Sequence, residues 1–338
     1  MSTTLLQAGT GRTSVPCQSR AHSADQGRTP APRLSIGMPV FNGESFVSEA
    51  LDSLLSQTFE DFELIISDNA STDGTEAICR AYAARDPRVK YHRNEQNCGA
   101  ARNFNRCFAL ARGEYFKWAA HDDKCEPPFL QQCVEVLDRW PEVVLCHPRT
   151  AVIAADGAFL HRYALSLDTA SPRVDKRFRE LVCVSHASYQ IFGVIRSSAL
   201  KRTSLIGGYV YSDVALLGEL AMLGRLWELP EYLFIRRTHP GSSNRANRVD
   251  NQLAEWFDPA NHGRLVMPQC RLWWEHVKSV VRAPLRWRQK CGCYTALTFH
   301  WLPTYWRQVG GELKTAAVRK AGRSVLAAAG RLRAVVGV

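Results

Sequence analysis

The sequence predicts an α/β domain: a mostly parallel sheet flanked by helices, continued by a helical C-terminal extension. Two observations predict it. Four short apolar runs between residues 33 and 123 alternate with segments whose apolar residues recur at helical spacing. After residue 263 that alternation stops, and Arg and Trp interleave on helical segments instead. The chain has 338 residues, of which 46% are apolar and 22% charged. This is ordinary for a soluble globular protein and long enough for roughly two domains.

Residues 1–32 are rich in Ser, Thr, Gly, Gln and Pro without periodicity, and are expected to form a disordered leader. Order is expected from Arg33. The run Leu34 to Val40 reads as a first strand, stopped near Pro39, with Asn42-Gly43 as a turn. Phe46, Val47, Ala50, Leu51, Leu54 and Leu55 then fall on one helical stripe within Glu44 to Gln57. Phe62 to Ser67 is the second strand. Ser71 or Thr72 is the expected N-cap of a helix running through Tyr82. Val89 to His92 is the third strand, Ala100 to Ala111 a helix, and Glu114 to Trp118 the fourth strand, ending in Ala119-Ala120-His121-Asp122-Asp123. Pro127-Pro128 opens a helix to Arg139. Val143 to Ala154 and Ala158 to Tyr163 read as a hairpin turned at Asp156-Gly157. Gln190 to Arg196 reads as a strand, and Ser212 to Leu223 as a helix ended by Gly224. Leu226 to Arg237 reads as a final region of strand pairing that runs into Thr238-His239-Pro240-Gly241-Ser242-Ser243.

Several classes are excluded. Eleven cysteines, odd in number and without a C-x-x-C pair, argue against a disulfide framework and a structural zinc site, and fit a reducing cytosol. No secretory signal and no run of about 18 uncharged apolar residues is apparent, so no spanning helix is expected. The P-loop, the dinucleotide-binding G-x-G-x-x-G after the first strand, and the G-x-S-x-G nucleophile elbow are all missing. The net charge of +11 is localised. Residues 264–338 hold 14 Lys and Arg against Glu275 and Glu312, together with Trp273, Trp274, Trp287, Trp301 and Trp306. Such a surface suits an anionic membrane. It is equally a solvated helical cap whose Trp residues pack on the main domain, and nucleic acid is the least favoured partner.

In parallel sheets ligands bind beyond the carboxyl ends of the strands. The candidates cluster there. Asp68 can accept hydrogen bonds from a base or a ribose, or close an Asx turn. Asp122 and Asp123 repel each other unless a cation is near. They therefore suit Mg²⁺ or Mn²⁺, which need few protein carboxylates, or else decorate a helix start. Asp213 can be a general base or a first-turn helix acid. His239 can be structural or ligate a metal. Arg102 can pair with a diphosphate or lie on a solvated helix face.

Taken in order, Pro39-Val40-Phe41-Asn42-Gly43, the run from Ser67 to Thr75, Asn97 and Gly99 with Ala101-Arg102-Asn103, and His121-Asp122-Asp123 resemble family 2 glycosyltransferases over about residues 33–245. These are inverting enzymes of the glycosyltransferase-A fold, with a Rossmann-like central sheet. The resemblance implies that Pro39, Val40 and Phe41 cradle the nucleotide base and that Glu44 lies beside the ribose. Asp68 would hydrogen-bond the base, Asn69 would replace a frequent second Asp, and Arg102 would lie near the phosphates. The family's D-x-D falls on Ala120-His121-Asp122, so Asp122 is the metal candidate, beside His121. Asp213 in Tyr211-Ser212-Asp213 matches the catalytic base, with Ser212 replacing a frequent Glu. His239 would sit in a loop that closes over the diphosphate and would share the metal.

The implied reaction is backside attack by an acceptor hydroxyl on an anomeric carbon. A carboxylate takes the proton, and a divalent cation (Mg²⁺ or Mn²⁺) neutralises the departing nucleoside diphosphate. The expected organisation is a leader (1–32), a nucleotide-sugar half (33–126), an acceptor half (127–245) and a basic helical extension (246–338). The expected role is a cytoplasmic transferase, peripheral at the inner face of the membrane, using a nucleotide-sugar donor and a saccharide or lipid-linked acceptor for cell-surface polysaccharide or glycolipid. The alternatives are a nucleotidyltransferase and a non-enzymatic basic docking protein.

Overall fold

Seven consecutive buried residues in Leu34–Val40 (β1), and seven more in Phe62–Asp68 (β2), mark strands covered on both faces. The structure is a computed structural model. It describes residues 31–242 and 250–336, with side chains described for 31–242 and 251–321. The expected leader therefore lies outside the described residues save for its last two.

β2 pairs in parallel with Val89–Arg93 (β3) and with β1, and β1 pairs in parallel with Tyr115–Trp118 (β4). The helices Val47–Leu55 (α1), Thr75–Arg85 (α2) and Ala100–Leu110 (α3) make the crossovers. This is the alternation the apolar periodicity predicts. Beyond β4 the sheet becomes mixed. Lys124–Cys125 (β5), Val143–Ile153 (β6), Phe159–Arg162 (β7), Val194–Arg196 (β8) and Arg225–Arg237 (β9) follow. The strand order is β3-β2-β1-β4-β8-β6-β9-β5, with β7 on β6. β8 is antiparallel to both β4 and β6, and β6 is parallel to β9. The helices Phe129–Arg139 (α4), Val174–Cys183 (α5), Ser197–Leu200 (α6) and Ser212–Leu223 (α7) complete this part.

Four local expectations change. The helix expected from Glu44 begins at Val47, because residues 42–44 hydrogen-bond across to residues 71–75 instead of starting a helical turn. Ser71 and Thr72 do not cap α2. The Ser71 hydroxyl accepts from the Asn42 amide and the Thr72 amide donates to the Asn42 side chain, so α2 starts at Thr75. Only the end of the run from Gln190 to Arg196 is a strand. Ser188 takes a left-handed conformation that starts a 3₁₀ turn, Tyr189–Phe192, before β8. The expected pair of strands at Leu226 to Arg237 is one long strand whose register with β6 slips near Pro148 and Arg149.

The C-terminal part is helical: Asp250–Phe257 (α8), Pro268–Arg282 (α9), Trp287–Ala296 (α10), and Leu302–Val336 (α11), the last two joined by a π turn, Leu297–Trp301. A core of its own ties it to α5 and α7 through Phe178, Ala215, Leu272, Val280, Leu297 and Trp301. His276 of α9 lies in that core, fully buried. It makes edge contacts with Phe178 and Trp301, and neither ring nitrogen has a hydrogen-bond partner. Burial lowers its pKa to about 3. The unfolded chain therefore takes up a proton near pH 6.5 that the folded chain refuses. Stability should be full above pH 6.5 and should fall as pH drops toward 3, by about 2 kcal/mol between pH 8 and pH 5. Denaturant melts of the wild type and of His276→Leu over that range check this. The substitution should flatten the acid limb, and an unchanged limb would exclude His276 as its source.

Candidate functional site

A cavity of about 770 Å³ opens at the carboxyl ends of β1, β2 and β4. β1 delivers Pro39, Val40 and Phe41 to its rim, and β2 delivers Asn69. Asn69 is buried and its side-chain amide is engaged through both the nitrogen and the oxygen. It donates to the Asn97 side chain and accepts from the Cys98 amide and the Asn94 side chain, so it holds the loop at 94–98 against the cavity. The residues after β4 contribute His121, Asp122 and Asp123. Gly43 permits this arrangement: a Cβ there would come within 2.6 Å of the His121 ring. Burial lowers the His121 pKa, against the opposing pull of Asp122.

The acidic pair is built around the end of β9. Arg236 lies 3.2 Å from Asp122 Oδ2 and 2.7 Å from Asp123 Oδ1. The Arg237 amide donates to the same Asp123 oxygen, and His239 Nε2 lies 3.0 Å from Asp122 Oδ2. The two carboxylates titrate in opposite directions. At Asp122 burial pushes upward, but His121, Arg236 and His239 outweigh it and hold the pKa below the usual value. At Asp123 burial dominates, aided by the Asp122 charge, and the pKa rises to about 6. Asp123 Oδ2 is buried without a hydrogen-bond partner.

Asp213 lies in the first turn of α7, with Tyr211 before it in a left-handed conformation. Asp213 lines the cavity, and burial raises its pKa despite hydrogen bonds from the Ser188 side chain and the Val214 amide. His186, also at the wall, is orientated by two backbone groups. Its Nδ1 accepts from the Ser188 amide, which leaves Nε2–H to donate to the Leu181 carbonyl. Phe104, Tyr189, Trp256 and Phe257 add aromatic surface to the lining, beside Glu255.

The structure thus brings together Pro39, Val40, Phe41, Asn69, His121, Asp122, Asp213 and His239 on one cavity. Three other predicted residues fall outside its lining. The Asp68 carboxylate is fully buried, and accepts from the Tyr91 hydroxyl, Arg93 and the Ser71 amide. Glu44 accepts from the Gly74 amide at the start of α2, the favourable end of that helix for a carboxylate. Arg102 is exposed on α3. In this arrangement the Asp68 carboxylate is held by Tyr91, Arg93 and Ser71, and the exposed Glu44 by the Gly74 amide. Arg236, His186 and Ser188 were not singled out from the sequence. Arg236 carried a usable signal, a basic residue two positions before a motif with His239, whereas His186 and Ser188 sit in a loop with no pattern.

Residues 35–202 match the Glycosyl transferase family 2 domain family. The chain is 34% identical over 111 residues to an uncharacterized glycosyltransferase of Rickettsia typhi, covering 33% of this chain and 34% of that protein. It is 32% identical over 240 residues to an uncharacterized protein of Mycobacterium bovis, covering 68% of this chain and 65% of that one. The chain therefore spans about a third of the first relative's length and just under two thirds of the second's. The fold resembles the crystal structure of S. aureus TarS residues 1–349 in complex with UDP-GlcNAc, with a TM-score of 0.58, 16% identity, and 81% of this chain and 75% of that one covered. A mixed sheet with helices on both faces, a strand-end cavity and this match over residues 35–202 place the chain in glycosyltransferase family 2, on the glycosyltransferase-A fold.

Proposed function

We propose that the chain is an inverting transferase that moves a sugar from a nucleoside-diphosphate donor to a hydroxyl group, with Asp213 as general base. One observation carries the reading: a single cavity is lined both by Asp213, whose pKa burial raises, and by the Asp122, Arg236 and His239 cluster. The two groups divide the labour. The acceptor hydroxyl must lose its proton as it attacks, and a buried carboxylate made more basic by desolvation is suited to take it. The departing diphosphate gathers negative charge, and the guanidinium of Arg236 and the imidazole of His239 face that side. Inversion needs one protein carboxylate at the reacting centre, unlike the paired carboxylates of glycosidases.

The donor set at Asp122 fits a divalent cation of the Mg²⁺ or Mn²⁺ type. One carboxylate and one imidazole 3.0 Å apart suffice for an ion that takes its other ligands from phosphate and water. Among the described residues no group of three His, Cys, Asp or Glu converges, so the protein would supply only these two donors. A cation held there would neutralise charge on the leaving diphosphate. Asp122, shared with Arg236, would exchange part of that ion pair for the ion.

The acceptor in this reading is a saccharide or a lipid-linked saccharide, and the product a cell-surface polysaccharide or glycolipid made at the cytoplasmic side of the membrane. The aromatic wall formed by Trp256, Phe257 and Tyr189 supports an acceptor with apolar sugar faces.

Thermal shift with UDP, GDP, dTDP and CDP, each with Mn²⁺ and with a chelator, tests the donor side. A nucleotide at 100-fold its Kd stabilises the folded chain by about 2.7 kcal/mol. UDP is the first to examine, since TarS is crystallised with UDP-GlcNAc. Asp122→Ala should lower the calorimetric affinity for the best nucleotide at least ten-fold in the presence of the cation. Equal affinities for wild type and variant would remove Asp122 from the site. Production of a nucleotide-sugar from sugar 1-phosphate and a nucleoside triphosphate would instead reveal a nucleotidyltransferase.

A further inference from the structure

The C-terminal helices bury one side and leave the other apolar. On the inward side, Trp301 is fully buried, and Leu302, Tyr305 and Val309 pack on the core shared with α5 and α7. Glu312 clamps α11 to α9 by accepting from the Gln269 and Cys270 amides. The outward side has no such purpose in the fold. Trp274 is 52% exposed, Trp287 70%, Phe299 69% and Trp306 60%. If the aromatic residues served only to pack a cap on the main domain, these four would be covered.

The spacing is regular. Trp306 and Leu313 of α11 are seven residues apart, as are Trp274 and Val281 of α9, so each pair falls on one stripe of its helix; Phe299 lies in the π turn before α11. Cations flank the stripe of α11 and Trp287 of α10, whereas Arg271, Lys278 and Arg282 of α9 pair with Glu275 and Glu219. Arg307 follows Trp306 and Lys314 follows Leu313, with the Arg307 guanidinium 5.6 Å from the Trp306 ring centroid. Arg288 stands 5.5 Å from the ring centroid of Trp287. Over residues 264–338 the charge balance is 14 basic residues to two acids.

We propose that this outward face of α9, α10 and α11 docks on an anionic phospholipid bilayer. The aromatic and aliphatic tips enter the interface, and Arg and Lys stay at the level of the headgroups. Charge selects this occupant over a second copy of the chain, because self-association would bring two strongly basic surfaces together. The aliphatic members, Val281 and Leu313, select it over nucleic acid, whose phosphates reward the cations and leave Leu and Val without a partner. No helix among the described residues is long and apolar enough to cross a membrane, so the face lies along the bilayer. The proposal stands apart from the transferase reading, since none of these residues lines the cavity.

The experiment is co-sedimentation of the full chain with vesicles of phosphatidylcholine alone and with 30% phosphatidylglycerol, at low and high salt. Binding to the anionic vesicles should exceed binding to the neutral ones at least ten-fold and should weaken with salt. The double variant Trp306→Ser, Leu313→Ser should lose most of the binding. Arg307→Gln with Lys314→Gln should weaken it by about five-fold per residue. Both variants should keep the wild-type melting temperature and the nucleotide-induced thermal shift, as exposed residues outside the cavity would. Asp213→Asn should bind vesicles like wild type, which separates this proposal from the transferase reading. Equal binding to neutral vesicles, or wild-type binding by the Ser variant, would overturn it. So would displacement by duplex DNA that is insensitive to the Ser variant, or a dimer in sedimentation that the Ser variant abolishes; these two would assign the face to nucleic acid or to a second copy.

Discussion

Asp213→Asn should lower sugar transfer by about 10²- to 10⁴-fold, the range removed with a general base, and leave nucleoside-diphosphate affinity largely unchanged. The amide is nearly isosteric with the carboxylate and preserves the first turn of α7, but it cannot take a proton from the acceptor hydroxyl. The pH profile gives a second readout. Burial raises the pKa of Asp213 from its ordinary value. The base is active only when ionised, so the rate should rise with pH through that elevated value, and activity should be lost as pH falls through it. The Ser188 hydroxyl favours the charged form. Ser188→Ala should therefore move the acid limb of the profile further up, while a merely structural change would lower the rate without moving the limb. Near wild-type transfer by the Asn variant, with an unchanged acid limb, would remove Asp213 from the chemistry.

The second large effect concerns Arg236. This one guanidinium faces two buried carboxylates, Asp122 at 3.2 Å and Asp123 at 2.7 Å. Arg236→Met would leave Asp122 with His239 and Asp123 with the Arg237 amide but neither with the guanidinium, and breaking a buried pair by removing one partner costs about 3–5 kcal/mol. A denaturant midpoint shifted to that extent at constant slope would establish the loss. Manganese should restore part of the stability in the variant and do less for the wild type, because ion and guanidinium serve the same Asp122 carboxylate. Arg236→Lys should fall between: one nitrogen, Nη1, meets both carboxylates, so an ammonium keeps the charge but must reach that point on a shorter stem. A loss below about 1 kcal/mol, the range of solvent-exposed pairs, would mean that the carboxylates are stabilised by water and not by the guanidinium.

Much of the site was legible because it rests on periodicity. Buried parallel strands read as unbroken apolar runs, so the polar residues at their ends stand out: Asn69 after β2, and His121-Asp122-Asp123 after β4. His239 is 117 positions from Asp122, yet both follow strand ends of one sheet, and the sheet carries them to the same cavity. The intramolecular partners of Asp68 and Glu44 were not legible. Asp68 pairs in register with Arg93 on β3, and that neighbour, with Tyr91, takes up its carboxylate. Glu44 is taken up by the Gly74 amide, thirty residues away. Nothing local distinguishes a carboxylate that faces a ligand from one that faces an arginine on the next strand.

The amino-acid order alone thus determined the α/β alternation, the strand ends where chemistry gathers, and the concentration of positive charge and Trp after residue 263, since each follows from spacing or composition within a short window. Tertiary structure alone decided which acids remain in the cavity, that Arg236 joins Asp122 to Asp123, and which Trp residues face outward. Those outcomes depend on cross-strand register and helix docking, where partners far apart in the chain compete for the same polar groups and the same apolar surface.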